Sequence, residues 1–180
     1  MSEVMHMKIG VISDSHDNLP NIEKALSMLA ARGATVLIHA GDIVSPFAVK
    51  KVLSFPGDVY GVFGNNDGEI AGIKKIWQHV FHGPCLLELA GLRILVCHEE
   101  AELSRAPYED IDIMIFGHDH KAVIREGRPL YVNPGEAGGW VYGKTTCALI
   151  DSEGPRAEIL EIKRCALRLR YWGCVWRRRA

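Results

Sequence analysis

The 180-residue sequence has no apolar run near the roughly 20 residues that a membrane-spanning helix needs. It has no Cys-x-x-Cys pair, and its five cysteines are an odd count, which argues against both a disulfide framework and a zinc ribbon. A charge excess of either sign is missing too. The 21 Lys and Arg against 22 Asp and Glu leave a net −1, so nothing draws the chain generally towards nucleic acid or a membrane surface. No glycine-rich loop follows the first apolar strand, which excludes the common nucleotide-binding α/β domains. Internal repeats and low-complexity tracts are absent. The segment before Met7 lacks the basic start and apolar core of a secretory signal, so a reducing cytoplasm is the expected setting. Cys85, Cys97 and Cys147 sit in apolar runs and read as small buried hydrophobes.

What is present is a hydrophobic content of 48%, enough for one domain with a sizeable core. Apolar strands are expected at 7–12, 35–39 and 58–63, each followed by a helical pattern: to about Ala31, from Pro46 to Leu53, and from Ile70 to His79. Ile22, Ala25, Leu26 and Leu29 fall on one face of the first helix, with Asn18 or Asn21 near its cap and Gly33 at its stop. Strand–helix alternation of this kind builds parallel βαβ units. After Pro84 the texture changes to hairpins: 85–89 with 92–97, 122–125 with 130–132, and 145–150 with 157–162, plus a lone strand at 113–116. Two packed sheets with helices outside would bury all these runs. The domain is expected over 1–163. Residues 164–180 mix arginines with Leu, Tyr and Trp and read as a terminal appendage, with an anionic partner or second subunit as the alternative.

The polar residues collect at strand ends. Asp14 and His16 follow the first strand, Asp42 the second, Asn65, Asn66 and Asp67 the third, His98 the hairpin, and His118 and His120 the strand at 113–116. At a strand end the backbone turns, so the two imidazoles of His118-Asp119-His120 can both face one spot past the sheet edge. Carboxyl ends of neighbouring strands converge on a crevice where sites form. Carboxylate, imidazole and amide oxygen together suit a first-row divalent cation. The candidates outnumber what one four-coordinate ion needs, which points to two ions sharing a bridging group. His39 is a candidate for orienting the ligands, with a hydrogen-bonded structural histidine as the equal alternative, and Asp67 for orienting a neighbour. Asp17 and Asn18 belong to the turn, and His6, His79 and His82 lie outside the pattern.

Asp14-Ser15-His16, Gly41-Asp42, Gly64-Asn65-Asn66-Asp67, His98 and Gly117-His118-Asp119-His120 together resemble the calcineurin-like metallophosphoesterase superfamily, from about Met7 to Ile162. Asn133-Pro134-Gly135-Glu136 and Gly143-Lys144-Thr145 are similar to its small single-domain phosphodiesterase branch. The resemblance implies a four-layer αββα sandwich, with two mixed sheets flanked by helices. It implies two divalent cations, manganese ahead of nickel, iron and zinc. Asp14, His16 and His120 would hold one, Asn65, His98 and His118 the other, and Asp42 would bridge. The implied activity is hydrolysis of small or cyclic phosphodiesters by a hydroxide shared between the metals, with Asp42, Asn66, Asp67 and His39 as the supporting catalytic set.

Two departures from the family shape the expectation. Asn66 stands where many of its phosphatases carry a histidine that protonates the leaving group, which an amide cannot do. Esters with easily departing leaving groups are therefore favoured, and a phosphomonoesterase is the weaker alternative. Glu99 and Glu100 stand where glycine is usual at the first position, and carboxylates facing the mouth would disfavour nucleic acid. A catalytically silent protein-binding scaffold, as in a retromer subunit of this fold, is the rival from another class. It would not need a ligand-competent residue at every position, as this chain has. A homo-oligomer stays open.

Overall fold

The computed structural model describes residues 6–104 and 106–162; the stretch 164–180 lies outside the described residues. Its first half is built from β1 (Lys8–Ile12), α1 (Leu19–Ala31), β2 (Val36–His39), α2 (Pro46–Val52), β3 (Asp58–Val62), α3 (Ile70–Ile76) and β4 (Val80–Phe81). Then come β5 (Cys85–Leu89), β6 (Leu92–Val96), α4 (Glu100–Leu103), β7 (Ile113–Ile115), β8 (Ala122–Arg125), β9 (Leu130–Pro134), β10 (Thr146–Asp151) and β11 (Arg156–Glu161). These strands form a six-stranded sheet, ordered β11-β10-β1-β2-β3-β4, and a five-stranded sheet, ordered β5-β6-β7-β9-β8. Both are mixed. β1, β2 and β3 run parallel in the first sheet, and β6, β7 and β9 in the second.

Strand alternation sorts the apolar side chains into layers. Ile9 and Val11 of β1, Val36 and Ile38 of β2, and Ile94, Ile113 and Val132 of the second sheet meet between the sheets. The intervening Ile12 and Leu37 face the helical side, against Ile22, Ala25, Leu26 and Leu29 of α1. On the outer face of the second sheet, Leu95, Cys97 and Phe116 pack with Leu103 of α4 and Ile111. The layers are thus helices, sheet, sheet, and a thin outer layer of α4 with the chain after it. Among the described residues no helix is long and apolar enough to cross a membrane.

Local chemistry explains most element ends. Asn18 caps α1 by accepting from Asn21 N at 3.3 Å, and Pro20 fits its first turn. Ser45 caps α2 in the same way, accepting from Ala48 N at 3.4 Å. The helix expected to reach His79 stops at Ile76. No side chain caps its start, and Trp77 swings to an extended backbone, buried with its indole N–H donating to Val59 O at 3.0 Å. The two residues beyond the expected helix, Val80–Phe81, form β4 on the edge of β3. The polar stretch after His98 contains the one-turn helix α4, which the sequence pattern did not announce.

Candidate metal centre

The parallel strands of both sheets deliver their carboxyl ends to one edge of the sandwich, and the loops there are stitched together. Asp14 N donates to Gly41 O (3.0 Å) and His16 N to Asp42 O (3.0 Å), joining the loops after β1 and β2. Ala137 N donates to Ser13 O (2.9 Å) and Gly138 N to Asp14 O (3.0 Å), tying in the chain after β9. His118 N donates to Asp14 Oδ2 at 3.1 Å across the two sheets. This closeness needs Gly117, because a Cβ there would overlap Ser13 Oγ and lie 2.7 Å from Asp14 Oδ2. Gly41, at φ +97°, similarly leaves its Cβ space to the His98 ring.

Asp14, His16, Asp42, His118 and His120 all sit at positive φ, between 41° and 71°. Non-glycine residues pay for this left-handed conformation, and Asp and His tolerate it better than most. The turns aim the side chains into two adjoining clusters. In the first, Asp14 Oδ1 lies 3.5 Å from His120 Nε2 and 4.0 Å from His16 Nε2, with the His16 and His120 rings stacked at 5.3 Å. In the second, Asn65 Oδ1 lies 3.0 Å from His98 Nε2 and 2.9 Å from His118 Nδ1. Asp42 stands between them, its Oδ2 3.6 Å from His16 Nε2 and 3.4 Å from His98 Nε2. His118 and His120, side by side past the end of β7, fall in different clusters.

Burial and hydrogen bonding set the charges. Burial pushes the Asp14 carboxyl above the ordinary range despite Ser13 and the imidazoles of His98 and His120. Burial acts the same way on Asp42, but hydrogen bonds from His98 and Asn66 outweigh it and hold that carboxyl well below the usual range. For His98 burial opposes the charge; contacts with Asp42 and the Ala40 carbonyl overcome it and raise the imidazole to about 9. His98 Nδ1–H donates to Ala40 O at 2.8 Å, which points Nε2 into the site. Burial drives His39 down to about 3, and its Nε2 hydrogen-bonds Ser15 Oγ at 2.9 Å, behind the cluster.

The donor set fits divalent cations. Asp14 Oδ1 and His16 Nε2 are buried without a hydrogen-bond partner, which is costly for polar atoms unless something else satisfies them. Asp14, His16 and His120 offer atoms within 4.8 Å of one another, as do Asp14, Asp42 and His98. Ligands about 2.1 Å from a tetrahedral ion stand about 3.4 Å apart, close to the spacings found here. Among the described residues no thiolate takes part: burial raises the Cys147 thiol to about 12 and raises the Cys97 thiol as well.

The other expected residues stand nearby in supporting positions. Asn66 donates to Asp42 twice, from N to Oδ1 (2.8 Å) and from Nδ2 to Oδ2 (2.6 Å). Asp67 turns away from the clusters and accepts from Asp42 N (3.1 Å), Val44 N (2.6 Å) and Gly64 N (2.7 Å). Asp17 accepts from Ser45, and Asn18 caps α1. His6, His79 and His82 contact Asp151, Tyr60 and Phe63 respectively. Glu100 pairs with Arg125 on β8, directing its charge to that ion pair.

One residue without an expected role stands against the site. Glu136, 1% exposed, accepts from His120 Nδ1–H at 3.1 Å and so aims Nε2 at Asp14. It also accepts from the amides of Trp140, Val141 and Tyr142. Its only signal in the sequence was its place in Asn133-Pro134-Gly135-Glu136.

Comparison with known proteins agrees with this geometry. Residues 7–154 match the calcineurin-like phosphoesterase superfamily domain. The phosphodiesterase MJ0936 of Methanocaldococcus jannaschii is 33% identical over 157 residues, covering 82% of this chain and 94% of that protein. The chain belongs to the calcineurin-like phosphoesterase superfamily. A solved archaeal phosphodiesterase superposes with a TM-score of 0.75 at 31% identity, covering 86% of this chain and 99% of the other. Vacuolar protein sorting 29 of Cryptosporidium parvum reaches a TM-score of 0.64 at 19% identity over 87% of this chain and 97% of its own. At that identity the likeness is one of fold alone.

Proposed function

We propose that this protein is a divalent-metal-dependent phosphodiesterase acting on small phosphodiesters. Asp14, His16 and His120 would hold one cation, Asn65, His98 and His118 the other, and Asp42 would serve both. The observation that carries this is the position of Asp42 Oδ2, within 3.6 Å of a His16 nitrogen and 3.4 Å of a His98 nitrogen. When bound, such a pair of cations lowers the pKa of water towards neutrality and offsets charge on the phosphoryl oxygens.

The chain's own residues hold this arrangement in place. Ala40 O and Glu136 accept the Nδ1 protons of His98 and His120, so each presents Nε2 to the site. Asn66 binds both oxygens of Asp42 and fixes the plane of that carboxylate. The Asn66 amide is not acidic enough to protonate a leaving group, so the departing oxygen takes its proton from solvent at the open mouth, where Asn65, Asn66 and His118 are exposed. That supports activated diesters over monoesters as substrates. Manganese suits the oxygen-rich share of the donor set, and the free thiols Cys85, Cys97 and Cys147 fit a reducing cytoplasm.

The test is an assay of bis(4-nitrophenyl) phosphate against 4-nitrophenyl phosphate with Mn, Ni and Zn in turn. The diester should be cleaved faster, activity should vanish after chelation and return with metal, and Asp42→Asn should reduce it at least 100-fold. Full occupancy by cations with no turnover of either ester overturns the proposal.

A further inference from the structure

Beside His120 the surface sinks into a hollow of about 460 Å³ lined by His120, Lys121, Ala122, Tyr142, Lys144 and Thr146. Lys121 Nζ lies 6.0 Å from the centre of the Tyr142 ring. Among the described residues no carboxylate pairs with Lys121 or Lys144. The acidic groups around them are engaged elsewhere. Asp119 Oδ1 accepts from Lys121 N and Asn133 Nδ2, and Glu136 is filled by the loop amides and His120. Through those amides Glu136 draws residues 140–142 against His120, yet Trp140 and Tyr142 keep 65% and 54% of their surface exposed. Lys121, Lys144 and the half-exposed ring of Tyr142, one face of it towards Lys121, therefore line a hollow that adjoins the metal centre through His120.

We propose that this hollow is a subsite for a second anionic group on the substrate, so that the diester bound most tightly is a small nucleotide-type molecule carrying a further phosphate beside a flat base. The inference rests on the phosphodiesterase reading and deepens it. His120 belongs to both the cluster and the hollow, so a diester held at the cations extends one arm directly over Lys121 and Lys144. A phosphate on that arm meets both lysines, and a base stacks on Tyr142, a contact that any base can make. A simple alkyl arm would leave the lysines unused.

The test compares the binding of thymidylyl-thymidine with and without a 5′-phosphate, its bridging phosphodiester replaced in both by a non-hydrolysable methylene phosphonate, by titration calorimetry on the metal-loaded full chain, where no turnover occurs. The phosphorylated form should bind about five- to tenfold more tightly at low salt, in line with two exposed ion pairs. That ratio should fall below twofold in the double variant K121A/K144A, survive in K121R/K144R, and shrink in 0.5 M salt on a scale set by screening of about 3 Å at 1 M. Equal unfolding midpoints verify that the variants are folded. A wild-type ratio near one, or a ratio preserved in K121A/K144A, overturns the subsite. Absence of turnover of bis(4-nitrophenyl) phosphate by the metal-loaded chain would instead strike the phosphodiesterase reading, and leaves this binding ratio to be judged by itself.

Discussion

At the scale of single residues the site turns on what Asn66 replaces. Its backbone and side-chain N–H groups hold both oxygens of Asp42 at 2.8 and 2.6 Å, so it orients the central carboxylate. A histidine at this place could add proton transfer, a contribution of roughly 100- to 10,000-fold when well positioned. Wild-type rates should therefore fall steeply as the leaving-group pKa rises from nitrophenol to simple alcohols. Asn66→His should flatten that dependence, raising alkyl diester turnover by about 100-fold with little gain on nitrophenyl esters. The slope of rate against leaving-group pKa is the measurement. An unchanged slope in the variant means that the proton never limits the reaction.

At the scale of elements, the strands and α1 were legible because burial demands apolar side chains: short apolar runs where strands such as β1 and β2 are covered on both faces, and one stripe along α1. The ligand-bearing turns were legible only as polar residues after apolar runs. Their left-handed backbone at Asp14, His16, Asp42, His118 and His120 is imposed by contacts between loops that no local spacing encodes. For the same reason the bond between His120 and Glu136, which crosses from the end of β7 to the end of β9, was hidden. α3 ended early because Trp77 gains more from burial than from another helical turn. Asp67 shows what holds such turns. Its carboxylate accepts three amides, from Asp42, Val44 and Gly64, and it is 7% exposed. Asp67→Ala would leave those donors without their acceptor, at about 1 kcal/mol each. The metal-free protein should lose about 3 kcal/mol in urea unfolding, whereas Asp67→Asn, which keeps one accepting oxygen, should lose less. A loss under 1 kcal/mol in the alanine variant would show that the loops after β2 and β3 stand without this clamp.

At the scale of the molecule, the two sheets bring buried carboxylates and imidazoles to one edge, where proton and cation would compete for the same atoms. In the metal-free protein His98 keeps its proton to about pH 9 because Asp42 and the Ala40 carbonyl stabilise the charge. The sign follows from linkage: a folded-state value above the ordinary 6.5 stabilises the fold fully below that value, and the benefit disappears as pH rises through about 9. Cation binding runs the other way, since a metal needs the neutral imidazole and must displace the proton. The unfolding midpoint of the metal-free chain should thus drop between pH 6.5 and 9, while the increase in midpoint on adding manganese should grow over the same interval. Calorimetry in buffers of different ionisation enthalpy should record proton release on metal binding at pH 7 that fades above pH 9. His98→Gln should remove both trends and so separate this imidazole from the buried Asp14 carboxyl. A midpoint gain that is flat with pH would mean that metal and proton do not compete at His98, and that the second cluster does not hold a cation.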